Sequence, residues 1–265
     1  MGSPDRQQRL AALRDSIADI ERKPALAEAR VLVEDHKRGF PVLAGGLLQE
    51  VFTDERRNGG AALGFALGQA RGLLTEHRRA VIYLQLADQS QQLGLPYGPG
   101  LLSFGLDPAA VVLVRPATMA ELLWAVEEAI ACRAVAAVVA DIGSPSRLLD
   151  FTASRRLSLR AASTGGSIFL LRYGIAREAS AAHLRWGLAP APSAIRRYDT
   201  KAPGPLRWRA QLEKGTLIKQ AAWLLGWTEH GFSAFAPEHH PDRSLAFPPL
   251  PRAVPALVAH RLPET

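Results

Sequence analysis

Acidic residues and glycines fill the loop in which a nucleotide-binding protein would hold phosphate. A short apolar run at 47–52 gives way to a polar stretch at 53–60 and then to helical spacing of apolar residues over 61–71. A loop between a strand and a helix is the place of the phosphate-binding motif G-x-x-x-x-G-K-[ST]. The residues near the diagnostic positions are Asp54, Glu55, Gly59 and Gly60. Because the loop offers no lysine and no hydroxyl follows its glycines, we predict a nucleotide-type scaffold with no bound cofactor and no catalytic residue.

The composition is that of a globular protein with excess positive charge. The chain has 265 residues, 48% of them hydrophobic, enough for one large core with a small appendage. A single cysteine, Cys132, excludes an internal disulfide framework. The first residues carry charges throughout, unlike a signal peptide, and no apolar run approaches the roughly 20 residues that span a bilayer. We therefore expect a cytoplasmic protein. Its net charge of +7 suits an acidic partner such as nucleic acid, although solubility explains it equally well.

Strands and helices alternate through the middle of the chain. The predicted elements are strands at 80–86, 111–114, 134–142 and 167–172 and helices at 119–132 and 148–162. The glycine- and proline-rich region 89–108 is expected to be mostly loop with one short helical turn. Later strands are expected at 182–188 and 206–213, and 216–228 is expected to close the domain as a short helix or strand. Such alternation requires a parallel sheet with right-handed crossovers, that is, an α/β fold.

The two ends of the chain differ from its middle. Near the N-terminus, apolar residues recur at helical spacing among charges and predict an amphipathic helix that ends before Pro24. From Pro237 onward the chain is too rich in proline to sustain a helix or a central strand. We expect an N-terminal helix and linker at 1–44, a core domain at 45–235 and a proline-rich tail at 236–265. The apolar residues at these ends that we expect to bind partners are Leu10, Leu13, Ile17, Ile20, Phe247 and Leu250.

The order of the central segments resembles that of the RecA recombinases. The blocks GLLQEVF, VIYLQL, AVAAVVADI, SIFLLR and LRWRAQLEK follow one another as the strands of that ATPase core do. The segments GLDPAAVVLVR, AVVADIG, LDFTASRRLSLRAA and LLR resemble more closely the ImuA family, RecA-like proteins of bacterial damage-inducible mutagenesis cassettes. The resemblance covers about 45–213 and rests on collinear block order. It implies a RecA-like core whose mostly parallel central sheet is flanked by helices.

The resemblance also implies a function in the response to DNA damage. The resemblance to ImuA proteins implies an accessory factor of translesion synthesis. Such a factor works with the polymerase-like ImuB and an error-prone C-family DNA polymerase. We therefore expect a non-enzymatic adaptor of the SOS response that contacts ImuB, this polymerase or RecA. Two alternatives stay open, an ATP-dependent DNA-binding protein of the recombinase type and a RecA-related inhibitor of cell division. An ATPase assay separates the enzyme from the other two, and the identity of the bound partner separates those.

Asp141 resembles the Walker B carboxylate of RecA-like ATPases, since it ends an apolar strand. Without a phosphate loop, we favour the interpretation of Asp141 as a strand-terminal cap or turn residue. No glutamate follows the strand at 80–86 in the place of the residue that activates water. The loops that carry DNA in the recombinases are also short here, at 141–146 and 173–181. The sequence therefore predicts neither ATP hydrolysis nor inherited DNA binding.

Basic residues late in the chain offer a weak path for DNA. On an alternating strand, Arg207 and Arg209 share one face while Trp208 points to the other. The residues that we expect to bind DNA weakly and without sequence preference are Arg196, Arg197, Lys201, Arg207 and Arg209. A group of possible metal ligands matches no closed zinc site, so no metal is expected. Its members are His230, His239, His240 and Asp242.

Overall fold

A nine-stranded sheet forms the centre of the protein, with helices on both of its faces. The structure is a computed structural model that describes residues 39–41, 43–193, 198–199, 202–215 and 221–235. The predicted N-terminal helix and the proline-rich tail therefore lie outside the described residues. So do the partner-binding candidates Leu10, Leu13, Ile17, Ile20, Phe247 and Leu250. Within the described part of the chain, no helix has the length and apolar character needed to cross a membrane.

The elements follow one another along the chain much as the apolar runs predict. The strands are β1 (Leu48–Thr53), β2 (Ala80–Gln85), β3 (Val111–Val114), β4 (Val135–Ile142), β5 (Ser167–Tyr173), β6 (Leu184–Ala191), β7 (Arg207–Gly215), β8 (Ala222–Thr228) and β9 (Gly231–Phe235). The helices are α1 (Gly59–Arg71), α2 (Ala87–Leu93), α3 (Gly98–Ser103), α4 (Met119–Ala131) and α5 (Phe151–Thr164). Short 3-10 turns at Arg56–Asn58 and Pro108–Ala110 precede α1 and β3.

The sheet has a parallel part and an antiparallel part. The strand order is β3-β2-β4-β5-β1-β6-β7-β8-β9. All neighbours from β3 to β6 run parallel, whereas β7, β8 and β9 are added as antiparallel strands. The predicted α/β class with a mostly parallel sheet is confirmed.

Each face of the sheet has its own hydrophobic core. On one face, α1 buries Phe65 and Ala66 against the sheet, in a core that extends to Trp186, Trp208 and Phe232 of the later strands. The aromatic rings of this core touch edge to face or tilted, for instance with 5.4 Å between the centroids of Phe65 and Trp186. On the other face, α4 and α5 form a second core with the parallel strands. The two cores hold the parallel strands between two helical layers.

Side-chain caps determine where α4 and α5 begin. The Thr118 hydroxyl accepts the backbone N–H of Glu121 at 3.2 Å, and the Glu121 carboxylate accepts the N–H of Thr118, which completes a capping box. Asp150 accepts a backbone N–H at 2.7 Å and so starts α5 at Phe151. The prediction that this helix begins at 148 was wrong, because the cap residue lies inside the predicted span.

Several segments contain more structure than the sequence predicts. The region 89–108, predicted to be mostly loop, includes the end of α2 and all of α3. The described part of 216–228 forms strand β8, and a turn leads from it into β9, which the sequence does not predict. Phe40 and Leu43, from the segment predicted as a linker, are buried in the core on the α1 face. Tertiary packing therefore orders segments whose local composition favours loops.

Glu50 is a buried carboxylate in the middle of strand β1, with 1% of its surface exposed. Its Oε1 accepts a hydrogen bond from Arg172 Nη1 at 3.2 Å, and its Oε2 accepts one from Arg185 Nε at 2.8 Å. The Ser180 hydroxyl also donates to Oε2, at 2.8 Å. Since Arg172 belongs to β5 and Arg185 to β6, this carboxylate joins three adjacent strands.

The same network holds the loop 174–183 between β5 and β6. Arg172 Nη2 pairs with the Glu178 carboxylate at 2.5 Å, and Arg185 Nη2 donates to the Glu178 carbonyl at 2.7 Å. Arg177 pairs with Glu213 of β7 at 2.8 Å. This is the loop at the place where recombinases carry DNA, and here its charged side chains bind the protein's own strands.

Replacing Glu50 by alanine should destabilise the protein strongly. The substitution leaves Arg172 and Arg185 largely buried without their carboxylate, and breaking a buried pair in this way lowers the free energy of unfolding by about 3–5 kcal/mol. Urea denaturation measures the loss. The matched control is Glu127→Ala, which removes a carboxylate from an ion pair whose arginine, Arg156, is 62% exposed. That change should lower the free energy of unfolding by less than about 1 kcal/mol. Equal losses in the two variants would contradict the assigned role of Glu50.

Candidate functional site

Polar side chains meet at the carboxyl ends of the parallel strands, on the face covered by α1. Tyr83 and Gln85 come from β2, Asp141 from β4 and Tyr173 from β5. The first three are buried and Tyr173 is half-buried. In open α/β sheets, ligands bind at this edge. We therefore take this cluster and the neighbouring start of α1 as the candidate site.

Asp141 is the centre of the cluster. Its Oδ2 accepts a hydrogen bond from the Tyr83 hydroxyl at 3.0 Å and one from Gln85 Nε2 at 3.3 Å. Burial raises the pKa of Asp141, whereas the nearby Tyr173 hydroxyl, these two hydrogen bonds and the charge of Arg56 act in the opposite direction. Burial also raises the pKa of both tyrosine hydroxyls, and the Asp141 carboxylate adds to that rise. The tyrosines therefore remain protonated hydrogen-bond donors.

Two buried oxygen atoms of the cluster have no aligned hydrogen-bond donor among the described residues. They are Oδ1 of Asp141 and Oε1 of Gln85. The Tyr173 hydroxyl approaches the Asp141 carboxyl group closely enough to affect its pKa but does not complete a hydrogen bond of good geometry. A buried carboxylate with an unsatisfied oxygen is disfavoured in its ionised form. This environment agrees with the raised pKa of Asp141.

Tyr173 also lies against the start of α1. A Cβ atom placed on Gly59, the first residue of that helix, would lie 3.0 Å from the Tyr173 hydroxyl oxygen. The N-terminus of a helix after such a loop is where phosphate binds in nucleotide-binding proteins. At Gly60, which is exposed, an added Cβ would meet nothing within 4 Å. The tyrosine therefore occupies space beside Gly59 but not beside Gly60.

The acidic residues of the loop are paired with arginines. Asp54 accepts a hydrogen bond from Arg177 Nη2 at 3.3 Å, and Glu55 forms an ion pair with Arg57. Both carboxylates are exposed. The structure thus brings Gly59 and Asp141 near Tyr173, while Asp54 and Glu55 lie on the surface of the same loop.

The DNA-binding candidates fall in two groups. Arg207 and Arg209 lie on β7, where Arg209 is exposed and Trp208 points into the core, as the alternation predicts. Arg196, Arg197 and Lys201 lie outside the described residues. Whether any of these residues binds DNA stays a prediction.

The metal-ligand candidates do not assemble in the described part of the chain. His230 lies in the turn between β8 and β9, and His239, His240 and Asp242 lie outside the described residues. Among the residues that the structure describes, no three histidine, cysteine, aspartate or glutamate side chains are placed to share a metal ion.

A separate cavity lies beside the second half of α1. It has a volume of about 310 Å³ and is lined by residues that include Phe40, Gly68, Phe169 and Phe232. Neither Asp141 nor its hydrogen-bond partners Tyr83 and Gln85 are among its lining residues. Its walls are mainly those of the core on the α1 face.

Sequence reasoning identified Asp141 but missed the side chains around it. Tyr83 lies inside an apolar strand and Tyr173 follows one, so both resemble ordinary core residues in the sequence. A usable signal was their common position, because the ends of parallel strands meet at one edge of the sheet. The Glu50 network was missed as well, although a glutamate in the otherwise apolar strand GLLQEVF calls for a buried partner.

The sheet order and the loop between β1 and α1 at its carboxyl edge define an α/β protein of the RecA-like class. Comparison with known proteins gives the family. Protein ImuA from each of two strains of Caulobacter vibrioides is 33% identical to this chain over 187 residues, covering 67% of this chain and 72% of the relative. The chain belongs to the ImuA family, which confirms the resemblance seen in its sequence. No established family profile matches the chain.

Replacing Asp141 by asparagine should change how stability depends on pH. The stability that a raised carboxyl pKa provides is fully present below the unfolded pKa and is lost as pH rises through the folded value. Asparagine keeps an acceptor for Tyr83 and carries no charge. We therefore expect the substitution to increase the free energy of unfolding more at about pH 8 than at about pH 5. Urea denaturation at the two pH values checks this, with the exposed Asp88→Asn as control. Parallel pH profiles for wild type and Asp141→Asn would contradict it.

Proposed function

We propose that this protein is a non-enzymatic RecA-like accessory factor of SOS-induced, error-prone translesion DNA synthesis. Membership of the ImuA family supports a role in damage-inducible mutagenesis. The finer part of the proposal is an adaptor role, in which the protein contacts ImuB, the error-prone C-family polymerase or RecA. The proposed place of action is the cytoplasm.

The position of Tyr173 is the observation that carries the non-enzymatic part. A nucleotide phosphate would need the space beside Gly59, and the Tyr173 hydroxyl lies there. The loop 53–62 also lacks the lysine and the hydroxyl that bind phosphate and magnesium in the phosphate-loop motif. In addition, Asp141 is bound to Tyr83 and Gln85, partners from its own sheet. These contacts support a structural role for the Walker B-like carboxylate.

The protein should neither bind ATP tightly nor hydrolyse it. Titration with a fluorescent ATP analogue and magnesium measures binding, and phosphate release measures hydrolysis, with RecA as the positive control. We expect no saturable binding, because the phosphate position has no lysine and is bordered by a tyrosine. Tight binding that is lost in Asp141→Asn would refute the proposal and favour an ATP-dependent protein of the recombinase type.

Exposed apolar side chains support the adaptor part. Strand β3 forms one end of the described sheet, and its Val112 and Leu113 are 48% and 41% exposed. Trp124 on α4 is 65% exposed and Tyr97, before α3, is 75% exposed. Large apolar side chains at a surface are typical of protein–protein contacts, in which aromatic residues often dominate the binding energy. The body of the domain therefore offers candidate surfaces in addition to the two chain ends.

Removing either end of the chain should abolish a different interaction. We expect deletion of 1–23 to remove binding to a RecA-like partner and deletion of 237–265 to remove binding to a second partner such as ImuB. The reason is that an isolated amphipathic helix and an apolar, proline-rich tail each need a surface to pack on. Biolayer interferometry with purified RecA, ImuB and polymerase measures binding, and circular dichroism checks that the core stays folded.

Three outcomes of the truncation experiment would contradict the adaptor roles of the chain ends. If a truncation unfolds the domain, that end belongs to the core and the adaptor assignment for it is wrong. When both truncations keep every interaction, Trp124→Ala tests the body surface. Its control is Leu159→Ala on α5, where the leucine is 54% exposed against 65% for Trp124. Capture of a division protein in place of these partners would favour an inhibitor of cell division.

A further inference from the structure

Three aromatic rings line the cavity beside the second half of α1. They are those of Phe40, Phe169 and Phe232, each at most 8% exposed. Protein cores contain few voids larger than a water molecule, so a cavity of about 310 Å³ is unusual in such surroundings. An apolar cavity of about 150 Å³ is enough to hold benzene. The cavity therefore has the volume for a bicyclic ring system.

Gln49 contributes a carboxamide to the cavity wall from the middle of the sheet. It lies in β1, in register with Phe169 of β5 and Leu184 of β6, and is 1% exposed. Its Oε1 accepts a hydrogen bond from Trp186 Nε1 at 2.9 Å, which fixes the orientation of the amide group. Its Nε2 has no acceptor among the described residues. Gln49 therefore keeps a hydrogen-bond donor available at a buried position.

Gln69 brings a second carboxamide to the same cavity from α1. The residue is half-buried, and its Nε2 is buried without a hydrogen-bond partner in the part of the chain that the structure describes. An unpaired buried donor is unfavourable, so each one requires a ligand or a water molecule that accepts from it. One such donor on the sheet and one on the helix that covers it thus belong to residues of a single aromatic cavity.

The charges near the cavity do not call for a charged ligand. No carboxylate is among the described residues that line it, and His230, which does line it, is exposed beside Glu229. Arg71 lines it as well, but its guanidinium lies against Gly105 and 5.9 Å from the ring centroid of Trp227. Neither of these two partners lines the cavity, so the guanidinium is directed elsewhere.

We propose that this cavity binds a neutral, bicyclic heteroaromatic compound whose carbonyl or ring-nitrogen atoms accept hydrogen bonds from Gln49 and Gln69. Sites for small molecules combine apolar, aromatic walls with a few polar groups that orient the ligand. Here the phenylalanines supply the walls and the two carboxamides supply the polar groups. The inference goes beyond the adaptor role and does not depend on it, because none of the residues proposed to bind a partner lines the cavity.

Caffeine is a suitable probe, because it is neutral and bicyclic and has carbonyl acceptors but no N–H donor. Saturation-transfer difference NMR with the full chain measures its binding. For a ligand of about 14 non-hydrogen atoms, we expect a Kd of about 1 mM. Absence of binding at about 10 mM caffeine, roughly ten times that value, would overturn the proposal and leave the two donors to water molecules.

Gln69→Leu tests the hydrogen bond without removing any contact that the folded protein makes through Nε2. It should weaken caffeine binding roughly 2- to 12-fold, the value of one hydrogen bond. N-methylindole, a bicyclic compound without a carbonyl acceptor, should bind this variant at least as well as it binds wild type, because leucine is apolar. Gln49→Met should have the same selective effect, although it also removes the acceptor of Trp186.

Gln91→Leu is the matched control, since it replaces an exposed glutamine on α2, outside the cavity. It should leave the binding of both compounds unchanged. Wild-type caffeine affinity in Gln69→Leu, or an equal loss in Gln91→Leu, would overturn the proposal. An equal loss of caffeine and N-methylindole binding in Gln69→Leu would also overturn it, because the hydrogen bond would then contribute nothing. Circular dichroism checks folding, and Gln69→Leu decides the question if Gln49→Met does not fold.

Discussion

A single buried carboxylate joins the last three parallel strands of this sheet. Glu50 lies in β1, and its arginine partners come from the strands on either side, so charge pairing joins the last parallel strands. Burying three charged groups is unfavourable unless they satisfy one another, which restricts how β5, β1 and β6 can be arranged. The guanidinium carbons of Arg172 and Arg185 also lie 5.2 and 5.4 Å from the ring centroid of Phe52. The positions of the candidate site and of the antiparallel strands both depend on this arrangement.

At the carboxyl edge of the sheet, the Tyr83 hydroxyl and the Gln85 amide donate to Asp141 Oδ2. Among the described residues, two oxygen atoms of this cluster, Asp141 Oδ1 and Gln85 Oε1, have no donor. A RecA-like fold can thus keep its architecture while the protein's own side chains fill its carboxyl edge, since fold and function are separable.

Much of the fold could be predicted because local sequence patterns indicate where its strands and helices lie. The central strands are continuous apolar runs, and α1 and α4 show clear helical periodicity. Strand β9 escaped prediction because its five residues follow a turn and gain their order from Phe232 in the core. The contacts of Tyr173 with Asp141 and Gly59 join residues distant in the chain, and no local pattern reveals them. The family resemblance predicted where the site lies. The side chains in it are brought together by tertiary packing, which the sequence does not reveal.

The strand order also affects how the protein is made. Strand β1 is synthesised first, but both of its neighbours come late: the Leu47 N–H donates to the Ser167 hydroxyl, 120 residues further on, and β6 follows after that. At roughly 5 to 20 residues per second, the ribosome needs about 6 to 24 s to cover that distance. During this time an apolar strand with two unpaired edges is exposed on the nascent chain. The topology therefore leaves the central strand of each new molecule uncovered until β5 and β6 have been made.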